Sequence, residues 1–277
     1  MNIKKLLLVM PLLFSFVTYA RDCTTEYENK NYEKALIECT QEAEKGSSEA
    51  QYLLGDLYYQ AITGDEQDDS LYQKAIYWFT KSAEQGYVDA QYTLGILYDQ
   101  SDDETQDSQK ALFWYEKAVE QNDPPSQYNL GIMYEYGHGV EPNIQKALTL
   151  YIKSAEQGYM DAQYALGLMY DKGDGIEQDK QKAIFWYEKA AEQGDFNSQF
   201  NLALMYDEGD GVEQNKQKAA FWYTKLAERN VVPEAQYRLG IMYDKGDGVE
   251  QNKLLANKYF KQSCERGFEK ACNKLEK

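Results

Sequence analysis

Few residues in this chain can do covalent chemistry, and their spacing is not that of a catalytic site. There is one histidine, His138, so neither a His–His metal site nor a histidine pair for acid–base work can be built. None of the eleven serines is followed three residues later by lysine. The S-D-N, K-T-G, H-E-x-x-H and G-x-S-x-G patterns and the phosphate-cradling P-loop are missing as well. Cys23, Cys39, Cys264 and Cys272 form no C-x-x-C, which favours structural bonds over redox chemistry. The stretches Asp65-Glu66-Gln67-Asp68-Asp69 and Asp102-Asp103-Glu104 lack EF-hand spacing and read as solvated loops. No metal and no cofactor is implied, and the chemistry that remains is recognition.

Composition narrows what could be recognised. The chain has 277 residues, with 29 Lys+Arg against 46 Asp+Glu, a formal charge of −17. Nothing in such a balance offsets phosphate charge, which argues against nucleic acid as a partner. At 43% hydrophobic the chain is no polytopic membrane protein, yet it is long enough for a sizeable core. Its 25 tyrosines need a fold that buries rings and keeps a charged exterior.

The first twenty residues read as an address. Lys4 and Lys5 precede an apolar run from Leu6 to Phe16, and Thr18-Tyr19-Ala20 places small residues at the −3 and −1 positions. Eleven apolar residues are too few to span a bilayer, which takes about 20. The pattern is that of a secretory signal cleaved after Ala20. The expectation is a periplasmic or secreted protein with no stable membrane anchor after cleavage. Loss of two lysines takes the charge from −17 to −19. An even number of cysteines suits an oxidising compartment.

A repeat runs through the rest. AQYLLGDLY begins at Ala50, AQYTLGILY at Ala90, SQYNLGIMY at Ser126, AQYALGLMY at Ala162, SQFNLALMY at Ser198 and AQYRLGIMY at Ala235, with a truncated start at Ala271. The steps are 40, 36, 36, 36, 37 and 36 residues. A second segment recurs behind each, as in QKAIYWFTKSAEQG and QKAIFWYEKAAEQG. Ala90, Leu94, Leu97 and Tyr98 form one helical stripe, and Ala183, Trp186, Tyr187 and Ala190 another. Each unit is therefore a hairpin of helix A and helix B. Gly86, Gly158, Gly194 and Gly267, with Asn122 and Asn230 in the same column, close helix B. Asp107, Asn143, Asp179, Asn215 and Asn252 stand where helix B needs an N-cap. Gly95, Gly131, Gly167 and Gly240 lie inside helix A, where glycine costs about 1 kcal/mol, so a partner helix must come close there.

One hairpin cannot bury both stripes, but stacked hairpins can. The expected fold is all-α, a right-handed α/α superhelical solenoid of six helix-hairpin repeats with capping half-repeats. The expected organisation is a signal peptide at 1–20 and capping helices at 21–49. Six repeats follow at 50–89, 90–125, 126–161, 162–197, 198–234 and 235–270, then a truncated helix at 271–277.

The pattern A-x-x-Y-x-L-G-x-x-Y, then G-x-G-V, then K-A-x-x-W-Y-x-K-A-A-E-Q-G resembles the Sel-one-like repeat, a relative of the tetratricopeptide repeat. The likeness covers residues 50 to 271, and Tyr32 to Gly46 resembles a leading second helix. There are departures. The first two repeats lack the G-x-G-V loop, Leu150 replaces Trp in the third, and Ala203 replaces Gly in the fifth. About a dozen helices packed 8–10 Å apart separate the cysteines near the two ends beyond bonding reach, which leaves Cys23–Cys39 and Cys264–Cys272. The second pair resembles the cross-hairpin bridges of the cysteine-rich Hcp-type branch.

The resemblance implies function as well as fold. In tetratricopeptide-like arrays the A helices line a concave groove. Groove positions are then Tyr52, Tyr92, Tyr128, Tyr164, Phe200 and Tyr237, followed by Ile96, Ile132, Leu168, Leu204 and Ile241, and by Asp99, Glu135, Asp171, Asp207 and Asp244. Aromatic anchors flanked by charge suit protein binding, and the acidic row favours a basic partner. Packing between repeats is the competing role for the tyrosine column. The resemblance implies an exported, monomeric adaptor or scaffold whose partner is a protein with a basic or aromatic surface. It also admits a periplasmic immunity protein against a secreted toxic effector, and a weak β-lactam hydrolase of the Hcp type, although no β-lactamase motif is visible.

Overall fold

The computed structural model describes residues 22–62, 69–100 and 106–275, so the expected signal peptide lies outside the described residues. Where the described chain has regular structure, that structure is helical. The chain divides into two compact units, residues 1–142 and 143–277. The first holds α1 (Cys23–Glu28), α2 (Tyr32–Glu44), α3 (Ser48–Gln60), α4 (Asp69–Glu84), α5 (Val88–Asp99), α6 (Gln106–Glu120) and α7 (Pro124–Tyr136). The second holds α8 (Ile144–Glu156), α9 (Met160–Lys172), α10 (Lys180–Gln193), α11 (Phe196–Glu208), α12 (Lys216–Arg229), α13 (Pro233–Lys245), α14 (Lys253–Glu265) and α15 (Glu269–Leu275). Within each unit a helix packs chiefly on its neighbours in sequence, as a stack of hairpins does.

Local sequence explains where the helices begin and end. Asn143, Asp179 and Asn215 are extended, and their side chains accept from the backbone N–H of Lys146, Lys182 and Lys218. Asn252 does the same for Leu254 and Leu255. Asp107 departs from the expectation of a cap: it lies inside the first turn of α6, with its carboxylate 2.7 Å from Lys110 Nζ. Its repeat lacks the G-x-G-V turn that delivers the other cap residues extended. At the other end, Asn122 and Asn230 take left-handed φ values of 65° and 56°, the conformation that ends a helix.

The core repeats with the sequence. In the second unit Tyr187 and Tyr223 are fully buried among Ala183, Leu202, Ala219 and Leu239. Phe79 and Phe260 hold the same column in the first and last hairpins. Phe79, Tyr187 and Phe260 lie on helix-A glycines, whereas the repeat of Tyr223 has Ala203 in that column. A Cβ at Gly55 would sit 2.7 Å from the Phe79 ring, and one at Gly240 would sit 2.6 Å from Phe260. The second glycine of each G-x-G-V loop presses on the preceding helix B. A Cβ at Gly139 would meet Ser108 at 2.6 Å and one at Gly175 would meet Ile144 at 3.0 Å. That motif therefore joins one repeat to the one before it.

A second recurrent contact was not read from the sequence. The buried glutamine after each A-column residue donates to the end of the preceding helix B: Gln51 to Ala43 O, Gln91 to Ala83 O, Gln163 to Ala155 O and Gln199 to Ala191 O, all at 3.0–3.1 Å. Where an asparagine closes helix B, Gln127 and Gln236 turn to the side-chain oxygens of Asn122 and Asn230 instead. Cys23 is bonded to Cys39, tying α1 to α2, and Cys264 to Cys272, tying α14 to α15.

Candidate protein-binding face

The helix-A aromatics are half-buried: Tyr52, Tyr92, Tyr128, Tyr164, Phe200 and Tyr237 alike. Most have a ring of helix B against one side. The centroid distances are 5.7 Å for Tyr52–Phe79, 6.4 Å for Tyr92–Tyr115, 6.1 Å for Tyr164–Tyr187, 6.2 Å for Phe200–Tyr223 and 5.9 Å for Tyr237–Phe260. Tyr52 also meets Tyr87, and Tyr237 meets Phe268, each at 5.3 Å. The column thus packs between helices and still presents an edge to solvent. Burial pushes the phenol of Tyr164 above its ordinary pKa. Ile96, Ile132, Leu168, Leu204 and Ile241 are half-buried one turn further on.

The acidic row is less available than its sequence suggests. In the second unit each acid meets a lysine nine residues downstream, at the first position of the following helix B. The distances are 2.6 Å for Asp171–Lys180, 2.5 Å for Asp207–Lys216 and 2.6 Å for Asp244–Lys253. Lys180 also reaches Asp210 in the loop of the next repeat, at 2.7 Å. Arg238 adds a second cation 3.7 Å from Asp207. The hydrogen bond from Lys253 is the main reason that the Asp244 carboxyl sits below its ordinary range.

The first unit is built differently. Ser108 and Ile144 occupy the lysine column behind Asp99 and Glu135. Asp99 is exposed and Glu135 half-buried. Desolvation raises the Asp99 carboxyl above its ordinary range, with the charge of His138 acting in the opposite direction. His138 is exposed in its glycine loop, 6.0 Å from the Tyr136 ring. Asp69 opens α4, while Asp65 to Asp68 and Asp102 to Glu104 lie outside the described residues. Among the described residues no group of three or more His, Cys, Asp or Glu is placed to hold a metal ion, and no helix is long and apolar enough to cross a membrane.

Sequence reading missed a set of exposed rings on helix B. Tyr77, Phe113, Phe185 and Phe221 are each about half exposed, at 49–53%, and each stands edge-on to the tryptophan that follows it. The signal was in the recurring Phe-Trp-Tyr and Tyr-Trp-Phe triplets. Three adjacent positions on a helix cannot all face the core, so one ring must point outward.

A family model described as Sel1 repeat matches residues 48–87, 88–123, 124–159, 161–195, 197–231 and 233–268. Among solved structures, the chain is similar to c5321, a protective antigen present in uropathogenic Escherichia coli strains that displays an SLR fold. Identity is 38% over 87% of this chain and 50% of that one, with a TM-score of 0.78. The chain thus spans half the length of that protein. A Sel1 repeat protein from Oxalobacter formigenes aligns at 30% identity over 87% of this chain and 94% of its own, with a TM-score of 0.68. Immunity protein Pa5087 from Pseudomonas aeruginosa aligns at 20% identity over 71% and 74% of the two chains, with a TM-score of 0.46. No curated protein matches the chain.

Proposed function

The chain belongs to the Sel1 repeat family, and from this premise we propose that it is an exported module that binds a protein partner along the helix-A faces of its repeats. Sel1 repeat proteins mediate protein–protein interaction. The observation that carries the choice of face is the aromatic column. Tyr164, Phe200 and Tyr237 are held by one side against helix-B rings, so they are rigid before a partner arrives, and they remain open on the other. A rigid ring with an open edge loses little entropy on binding, which is why aromatics serve as hot spots. Leu168, Leu204 and Ile241 extend the apolar surface beside them. Export rests on Lys4, Lys5 and the apolar run behind them, and N-terminal sequencing of the protein from envelope and culture fractions tests it.

Site-specific photo-crosslinking tests the face. A benzoyl-phenylalanine placed at Phe200 or Ile241 should capture the same partner from envelope fractions, and one at Phe185 or Phe221 should not. Capture from the helix-B positions alone would move the site to the exposed Phe–Trp pairs. Capture from neither, together with covalent labelling by a penicillin, would replace the binding reading with the hydrolase one. If the partner proves to be a toxic effector, the module is an inhibitor rather than a scaffold.

A further inference from the structure

The second unit contains a cavity of about 490 Å³ where the helix-A face reaches α15. Its apolar side is formed by Tyr237, Ile241 and Phe268, with the two rings 5.3 Å apart. Its rim carries Lys245, Lys270 and Lys274, all exposed. The other cations of the lining are already engaged, Lys216 by Asp207 at 2.5 Å and Arg238 by Glu234 at 3.0 Å. None of the three rim lysines forms an ion pair with a described residue; Asp247 of the lining stands against them, and so does Asp244, whose carboxyl feels Lys245 and Lys274 but is itself paired with Lys253 at 2.6 Å. In a chain of net charge −17 this is a local excess of positive charge.

The repeat shows how the excess arises at this end. Lys270 stands in the column of Glu49, Asp89, Asp161 and Glu234, so the last helix reverses a position that is mostly acidic. Lys274 stands in the column of Thr93, Asn129, Ala165 and Asn201, which stays uncharged until Arg238. The support is also particular to this end. α15 has seven residues, too few to hold a helix alone in water. The Cys264–Cys272 bond ties it to α14 in the columns where other repeats use Ala83 and Gln91. The bond therefore holds Phe268, Lys270 and Lys274 at the cavity.

We propose that this cavity takes an acidic peptide segment of the partner, seating an aromatic or aliphatic side chain on Tyr237 and Phe268 while its carboxylates meet Lys245, Lys270 and Lys274. The proposal rests on the binding reading above and names the chemistry of one end of that face. A volume of about 490 Å³ lies within the ~300–1,000 Å³ usual for ligand sites and has room for a few side chains.

Fluorescence anisotropy on residues 21–277 tests it with three labelled peptides that differ only in charge: Gly-Asp-Glu-Phe-Glu-Asp-Leu-Gly, the same peptide with lysine at the four acids, and the same with serine. The acidic peptide should bind at least tenfold more tightly than either of the others, and less tightly as salt is raised. Lys270→Glu with Lys274→Glu should weaken it at least tenfold, and the milder Lys270→Gln with Lys274→Gln several-fold. Lys34→Glu with Lys45→Glu should leave it unchanged. Cys264→Ser with Cys272→Ser should also weaken it, with the melting of the remaining helices retained. Equal affinity in the Lys270→Glu, Lys274→Glu variant, a preference for the basic peptide, or no binding of any peptide overturns the proposal. A partner crosslinked through Phe200 in any of those cases leaves the binding module standing and removes only its acidic ligand.

Discussion

Gly167 of α9 lies so close to Tyr187 of α10 that a Cβ placed on it would overlap the ring, and the same glycine–aromatic pairing recurs at Gly55–Phe79, Gly95–Tyr115 and Gly240–Phe260. Helix propensity alone would favour alanine at such a site by about 1 kcal/mol. Overpacking a closed core costs about 1–3 kcal/mol. Gly167→Ala is thus expected to lower stability by up to about 2 kcal/mol net. Urea unfolding measures it, and a stabilised variant would mean that the Tyr187 ring can withdraw freely. Ala203 fills this column beside Tyr223 and is fully buried, so Ala203→Gly should also destabilise, there by leaving a gap.

Gln163 joins two repeats through its buried amide. It donates to Ala155 O at 3.0 Å and accepts from Gln193 Nε2 at 2.8 Å. Gln163→Ala removes both of these hydrogen bonds, though Ala155 O keeps the N–H of Gly158 at 2.9 Å, and at about 0.5–1.5 kcal/mol each it should cost about 1–3 kcal/mol. Gln193→Ala, at an exposed position, should cost distinctly less. Equal losses in chemical denaturation would show that burial does not govern this contact.

Asp179 gives the second unit a pH dependence of known sign. The backbone N–H of Lys182 is the main cause that holds its carboxyl below the ordinary range. The stabilisation is fully present above the unfolded carboxylate pKa of about 3.9 and is lost as pH falls through the lower folded value. Asp179→Asn keeps an acceptor that does not titrate. Thermal melts should find the wild type at least as stable as Asp179→Asn at pH 7, with that advantage shrinking or reversing by about pH 2.5. A difference that does not change with pH would contradict the assignment.

The two disulfides should differ in effect. The Cys23–Cys39 bond closes a separation of 16 residues and Cys264–Cys272 one of 8. Chain entropy alone gives about 3 and about 2.5 kcal/mol respectively. Cys272→Ser with Cys264→Ser should expose the amides of α15 to rapid hydrogen exchange while α13 stays protected. Exchange that spreads through α13 at the same rate would show that the last helix carries the hairpin beneath it.

Much of the fold was legible in the sequence because a repeat states each rule several times. One glycine inside a helix is ambiguous, but Gly95, Gly131, Gly167 and Gly240 at the same step require close approach, and the rings of Tyr115, Tyr187 and Phe260 supply it. The cap column behaved likewise for Asn143, Asp179, Asn215 and Asn252 and failed at Asp107, where the preceding turn differs. The glutamine column was just as regular in AQY and SQY. It went unread because a polar residue beside an apolar stripe usually faces water, and only its acceptor, the end of the preceding helix, gives it a reason to be inside.

The sequence by itself determined the helices, the caps of α8, α10, α12 and α14 and the pairing of the cysteines, because these follow from periods of three to four residues and from spacing between ends. It also named the rows Tyr164, Phe200, Tyr237 and Asp171, Asp207, Asp244. Only the tertiary structure decided what those rows present. Asp171 and Lys180 are nine residues apart, a spacing that no helical period brings together. They meet because the G-x-G-V turn folds helix B back beside the end of helix A, and that turn makes an apparent acidic surface internally paired. Lys270 and Lys274 likewise meet Tyr237 and Arg238 of the hairpin before them only across a cavity that the folded last helix helps to line. Charge in a sequence is a sum over residues, whereas charge at a surface is what remains after neighbours have been brought together.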